Sequence, residues 1–338
     1  MAECMPVRAR KIYKVRRESR EDDYRSLYRF SRESVLWLTE HFLGEDEERR
    51  GGALTNVNRM KVFLRYLGDP GFQFGVGEDI GVHRSTVSKT ISSVRTTVLN
   101  KADVWIKFLT TEEEMEVEKA KWQTNYSFPN SIGAIDCTQI PIVKPFLHGD
   151  EYINRKRFAS VNVQATCNGL EEFTSVDASW PGSVHDSRIW KNSDVYRVME
   201  RNVGESLLIA DSGYGIAPWL MTPFSPPATP VQVSFNRCLT KERVTIERCF
   251  GQMKQRFPIL QHKLRIKLEN IPSFIICCFI LHNTAKCLND EDFEAVAEQP
   301  GEGNNFEDEI PHYGECQIRR LGQARRMQLA NVIYQQHL

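Results

Sequence analysis

No stretch of this sequence approaches the roughly 18 consecutive apolar residues of a membrane-spanning helix. The opening MAECMPVRARKIYKVRR lacks the apolar core of a secretory signal. The expectation is a protein that stays inside the cell. The nine cysteines show no CxxC pair and no regular spacing, which argues against a disulfide framework or structural zinc. Cys277, Cys278, His282 and Cys287 crowd one apolar segment and read as helix packing. A P-loop is missing, which disfavours nucleotide hydrolysis. Net charge is missing too, because 44 Lys and Arg balance 44 Asp and Glu, and bulk electrostatics does not announce a polyanionic partner.

What is present is enough apolar material, 41% of 338 residues, for a substantial core and about two domains. Charge is unevenly distributed. Residues 8 to 17 hold Arg8, Arg10, Lys11, Lys14, Arg16 and Arg17 with no acid, as a phosphate-binding arm, an import signal or a flexible tail would. Lys241 to Lys267 carries eight cations against Glu242 and Glu247, and Asp290 to Glu309 is an acidic, Pro- and Gly-containing linker.

The pattern divides the chain into a basic tail and helix (1–50), a helical region (51–125), a strand-rich domain (131–287) and an acidic linker with a C-terminal helix (288–338). Ser31 is a plausible N-cap for SRESVLWLTEHFL. NVNRMKVFLRYL, a glycine turn and HRSTVSKTI form a helix-turn-helix pattern. In its second helix Arg84, Ser85, Thr86, Ser88 and Lys89 would face phosphates or base edges while Val87 and Ile91 pack inward. A plain helical bundle is the bland alternative.

Ser131 to Gln139, Ser160 to Cys167 and Phe173 to Ala178 read as strands, with a hairpin turn at Asn168 to Glu171. A helix over Val184 to Met199, a strand ending at Asp211, an irregular Pro-rich stretch from Pro218 to Pro230 and the helix of KERVTIERCFGQMKQRF follow. This order predicts an α/β fold of the RNase H-like kind, a mixed sheet covered by helices, behind an N-terminal all-α helix-turn-helix region.

Three acids stand out. Asp136 is central to SIGAIDCTQIPIV, Asp211 follows the apolar run SLLIA, and Glu247 lies beside the helical stripe of Ile246, Phe250, Met253 and Phe257. Hard oxygen ligands from two strands and a helix suit a divalent cation, Mg²⁺ first and Mn²⁺ as the alternative. Paired ions would activate the attacking oxygen and stabilise the leaving one. The bland reading is that these are surface acids, with Arg243 offering Glu247 an ordinary helix ion pair. Asp186, at a helix start, reads as a cap before it reads as a ligand, and His185 as an accessory proton group at most. Lys144, Arg155, Lys156 and Arg157 are candidate phosphate contacts, as are Lys254 and Arg256.

Several blocks in order resemble the DDE transposases of the PIF/Harbinger superfamily and the Harbinger transposase-derived nucleases. They are GAIDCTQIPI, Asn154-Arg155-Lys156, WPGSVHDSRIW, LIADSGY, WLMTPF, VTIERCFGQMKQRFPIL and LHN. They cover roughly residues 131 to 287. Cys137 and Gln139 depart from the Gly and His of many relatives. The resemblance implies a metal-dependent DNA endonuclease or transposase-like enzyme working by a two-metal mechanism. Asp136, Asp211 and Glu247 would be both catalytic residues and metal ligands. It also implies a DNA substrate, a Myb-like partner protein, nuclear localisation with a cytoplasmic share, and a homo-oligomer as a further expectation. The alternatives are a domesticated, catalytically silent DNA-binding or chromatin-associated protein, and a nuclease directed at RNA.

Overall fold

The structure is a computed structural model that describes residues 21–45, 54–69, 73–201, 204–293 and 313–336. The basic stretch of residues 8 to 17 and the acidic segment from residue 294 to 309 lie outside the described residues. Two compact units are present, Met1–Asn100 and Lys101–Leu338.

The first unit is helical: α1 (Glu21–Tyr28), α2 (Arg32–Leu43), α3 (Asn56–Gly68), α4 (Gln73–Ile80) and α5 (Arg84–Leu99). The other four helices pack around α3, whose Met60, Phe63, Leu64 and Leu67 recur at helical spacing and are buried. Ser31 caps α2 as expected, its side chain accepting from the Ser34 N–H at 3.1 Å. Between α4 and α5 the chain turns at Gly81, whose φ of +77° suits glycine, and the Gly81 N–H closes onto the Gly77 carbonyl at 2.9 Å. The helix expected over HRSTVSKTI is α5, which runs on to Leu99.

The second unit opens with α6 (Ala102–Trp105) and α7 (Glu112–Asn125), the latter started by a capping box between Thr111 and Glu114. Then come β1 (Ser131–Pro141), β2 (Ser160–Cys167), β3 (Phe173–Pro181), α8 (Asp186–Asn192), α9 (Asp194–Arg201), β4 (Leu207–Ile209), β5 (Leu220–Met221), α10 (Pro230–Arg256), α11 (Ile271–Cys287) and α12 (Tyr313–Gln336). The five strands form one mixed sheet in the order β3-β2-β1-β4-β5. β1 to β3 form an antiparallel meander, while β4 runs parallel to β1 and β5 parallel to β4. Helices α7, α10 and α11 pack on the sheet, and every residue of β2 is buried. Each Ile, Leu or Val buried in this core contributes about 1.5–3 kcal/mol. The α/β class and the all-helical N-terminal region are as the sequence predicts, and the architecture is consistent with an RNase H-like domain.

Three local readings needed correction. The expected helix over Val184 to Met199 is two helices, because Ser193 is extended (φ −78°, ψ 153°) and its hydroxyl recaps the chain at the Tyr196 N–H, 3.1 Å away. The stretch expected to be irregular contains β5, two residues hydrogen-bonded beside β4. It ends in α10, which starts at Pro230 behind a Thr229 cap and so begins well before Lys241.

Candidate active site

β1 is the middle strand of the sheet, and Asp136 sits midway along it rather than at its end. Side chains alternate across a strand, so Asp136 and Thr138 share the face that α10 covers. Arg243 and Lys254 of α10 reach them there. Arg243 Nη1 donates to Asp136 Oδ2 at 3.0 Å, and Lys254 Nζ to Thr138 Oγ1 at 2.7 Å. Asp136 Oδ1 also accepts the Cys137 N–H at 2.8 Å. β1 can lie this tightly in the sheet because residue 133 is glycine. A Cβ there would collide with the carbonyl oxygen of Cys167 on β2.

Asp211 lies just beyond β4, the parallel neighbour of β1, in a turn where its Oδ1 accepts the Gly213 N–H at 2.8 Å. Glu247 stands one helical turn after Arg243 on α10, its Oε1 2.6 Å from Arg243 Nη2. The Arg243 guanidinium therefore bridges Asp136 and Glu247, and all three side chains are mostly shielded from solvent. Asp186 is half-buried at the start of α8, held by Asn162 Nδ2 at 2.9 Å. Its neighbour His185 is exposed and contacts Arg155.

The electrostatics are those of crowded carboxylates. Burial pushes the Asp136 carboxyl well above its usual range, and the negative charges of Asp211 and Asp186 add to this while Arg243 opposes it. Burial likewise raises Asp211, with Asp186 and Glu247 adding, against the relief given by Arg243 and the Gly213 N–H. Burial works against the charge of Arg243, and Asp136, Glu247 and Asp211 more than offset it. Asp136, Asp186, Asp211 and Glu247 thus converge on one region.

Among the described residues no three His, Cys, Asp or Glu side chains are drawn close enough to hold an ion. The carboxylates are spread instead around Arg243, which supplies the positive charge. Their chemistry nevertheless fits a hard divalent cation: desolvated, mutually repelling oxygen donors with one cation among them.

Other candidates fall outside this cluster. Arg256 is 1% exposed and ion-paired to Asp290 at 2.9 Å, so its guanidinium is committed to the interior and does not meet a phosphate. Lys254 is half-buried on Thr138. In the first unit Arg84, Ser85, Ser88 and Lys89 are exposed, Thr86 is half-buried, and Val87 and Ile91 are buried. The Cys/His segment packs as expected except at Cys287, which is exposed at the end of its helix. Cys277, Cys278 and His282 are buried in α11, and the eight cysteines among the described residues are all free.

Sequence reasoning saw Arg243 only as a helix partner of Glu247. It missed its second carboxylate, and it missed Asn162 and Glu242. Buried Glu242 accepts from Trp122 Nε1 at 2.9 Å and from the Ser127 N–H, fastening α10 to the segment ahead of β1. Asn162 carried no separate signal, since Ser160, Gln164 and Thr166 alternate with apolar residues along the same strand.

The site thus has one acid on β1, one just beyond the parallel strand β4 and one on the covering helix, and it lies within the part of the chain that resembles known proteins. Residues 135–283 match the family described as DDE superfamily endonuclease. The chain is 28% identical over 270 residues to "Putative nuclease HARBI1" of Bos taurus, covering 78% of this chain and 77% of that one. It is 25% identical over 311 residues to the protein of that name from Xenopus laevis, covering 90% and 88%. To the Arabidopsis thaliana protein "Antagonist of like heterochromatin protein 1" it is 26% identical over 250 residues, 69% of this chain and 63% of that one. No solved structure matches. Residues 135–283 are thus similar to a DDE superfamily endonuclease domain, and most of the chain is similar to proteins named as nucleases.

Proposed function

We propose that the protein is a divalent-metal-dependent DNA endonuclease. The observation that carries this is the convergence of Asp136, Asp211 and Glu247 from two adjacent strands and one helix around a single guanidinium. Asp136 and Asp211 would hold the metal jointly and Glu247 would complete the set, with Asp186 supporting from the start of α8. Bound Mg²⁺, or Mn²⁺, supplies Lewis-acid stabilisation of the reacting phosphate by the two-metal scheme. Arg243 keeps Asp136 and Glu247 in place and neutralises part of their charge before that. The exposed Arg84, Ser85, Ser88 and Lys89 of α5, with Thr86, are the proposed duplex contacts. A Myb-like partner, self-association and a nuclear location belong to the same reading.

The test is cleavage of supercoiled and linear DNA with Mg²⁺ or Mn²⁺ by the wild type beside Asp136→Ala, Asp211→Ala and Glu247→Ala. Each substitution should abolish cutting while the protein stays folded. Cutting that survives all three would overturn the assignment. The second reading is a catalytically silent chromatin-associated protein. It is favoured by the relative whose name refers to a heterochromatin protein and by carboxylates that stand around an arginine. On that reading no variant changes the DNA, and Arg84 and Lys89 carry the function.

A further inference from the structure

The loop that leaves β1 has a feature that the cutting chemistry does not use. Phe146 is 100% exposed and Leu147 72%, and Val143 at the loop's start is 52% exposed. The tip is apolar, but its base is firmly held. The Ile142 N–H donates to the Ala159 carbonyl at 2.9 Å and the Val143 N–H to the Leu264 carbonyl at 3.3 Å. Lys144 Nζ closes the loop on Asp150 at 2.7 Å, and Gly149 packs directly on the Lys144 methylenes. The aromatic ring is thus presented by a pinned loop.

The surroundings indicate what it is presented to. Four cations, Lys144, Arg155, Lys156 and Arg157, stand against Asp150 and Glu151 between residues 143 and 158. Arg155, Lys156 and Arg157 are exposed on the following turn. That turn is fixed by buried Asn154, whose Oδ1 accepts the Phe158 N–H at 3.3 Å and whose Nδ2 donates to Ser160 Oγ at 2.9 Å. The turn comes within one residue of the carboxylate cluster, because Arg155 contacts His185, the residue before Asp186. An exposed aromatic tip on the loop whose base pairs with Ala159, followed by a cationic turn that touches the residue before Asp186, matches a polyanion that also offers flat apolar faces. A nucleic acid with exposed bases provides both, and in a paired duplex those faces are hidden.

We infer that Phe146, backed by Leu147, stacks on an unpaired or unstacked DNA base next to the carboxylate site, while Arg155, Lys156 and Arg157 hold the flanking phosphates. This rests on the DNA-cutting reading and adds that the preferred substrate is locally opened DNA. Aromatic side chains that stack on bases act this way in single-strand binding, and apolar wedges do so in kinked duplexes.

The experiment measures binding of the full-length protein, without divalent metal, to a fluorescein-labelled blunt duplex and to the same duplex with forked, unpaired ends. The wild type is expected to bind the fork about fivefold or more tightly than the duplex. Phe146→Ala should lose that preference while keeping its affinity for the duplex, and Phe146→Trp should retain it. A Lys156→Ala, Arg157→Ala double variant should weaken both and flatten their salt dependence. Fork preference that survives Phe146→Ala, or is absent in the wild type, overturns the inference. So does a Phe146→Ala variant that differs only in oligomeric state by sedimentation, since the tip would then meet a second copy of the chain. Cutting is read separately with Mg²⁺. Cleavage without fork preference leaves the nuclease reading standing and removes this one, and a Phe146-dependent preference without cleavage does the reverse.

Discussion

At the scale of single residues, the site illustrates how function and stability oppose one another. Asp211 is a carboxylate that its surroundings would rather leave protonated, through burial first and then through Asp186 and Glu247. A group whose folded pKa is raised weakens the fold as pH rises through that pKa, and below the ordinary carboxylate range the cost is gone. Asp211→Asn should therefore stabilise the metal-free protein near pH 7 by about 0.5–2 kcal/mol and abolish cutting. Thermal melts with and without Mg²⁺ check this, since only the wild type should gain stability from the metal. His282 gives the opposite pH window. Burial lowers it to about 4, against a Glu171 carbonyl that favours the protonated ring, with Lys286 and Arg256 adding to the depression and Asp292 opposing it. It is kept neutral in the fold, so its contribution is intact above the unfolded value near 6.5 and is lost as pH falls towards 4, by up to about 3 kcal/mol. Denaturation midpoints from pH 7 to 4.5 should fall more steeply for the wild type than for His282→Gln. The acids themselves were legible from sequence, because each sits in a recognisable apolar frame. Arg243 as a bridge was not, because its second partner, Asp136, is remote in sequence.

At the scale of elements, the C-terminal helix shows how one close approach closes the sheet. α12 packs on α10 and against β5, the outer strand of the sheet. Arg325 donates to the carbonyls of Pro218 and Glu205, and Arg326 to those of Thr222 and Pro223 while lying over the Phe224 ring. These cations satisfy backbone acceptors beside a strand too short to do so itself. The contact is tight at Gly322, where an added Cβ would lie 2.8 Å from the carbonyl carbon of Ala217. Gly322→Val should force α12 off Ala217 at a cost of about 1–3 kcal/mol. Urea denaturation would measure the loss, and limited proteolysis should cut within Tyr313–Gln336 first. The long periodic helices and the buried strands of the meander were legible in the sequence. β5 was not, since two residues carry no period, and their strand character comes from pairing with β4. The break at Ser193 was missed for a related reason, because a capping hydroxyl inside a helical pattern outweighed the continuing apolar spacing.

At the scale of the whole molecule, a chain of balanced net charge folds as two compact units. If α5 carries duplex binding in the full chain, replacing Arg84 and Lys89 together by Ala should lower DNA affinity. It should also reduce the slope of log affinity against log salt by about 2, leaving the cutting rate at saturating DNA little changed. Anisotropy titrations at several salt concentrations test this; an unchanged slope would mean that α5 does not meet phosphate. The sequence by itself determined the class of fold, the helical first unit and the acids worth testing, because periodicity, caps and the apolar frames around carboxylates are local properties. Only the tertiary structure decided which charged groups share space. It placed Asp136 and Glu247 on one guanidinium, withdrew Arg256 into an ion pair with Asp290, and left Phe146 fully exposed. Charges and rings act through distance and burial, and the chain sets neither until its remote segments have packed.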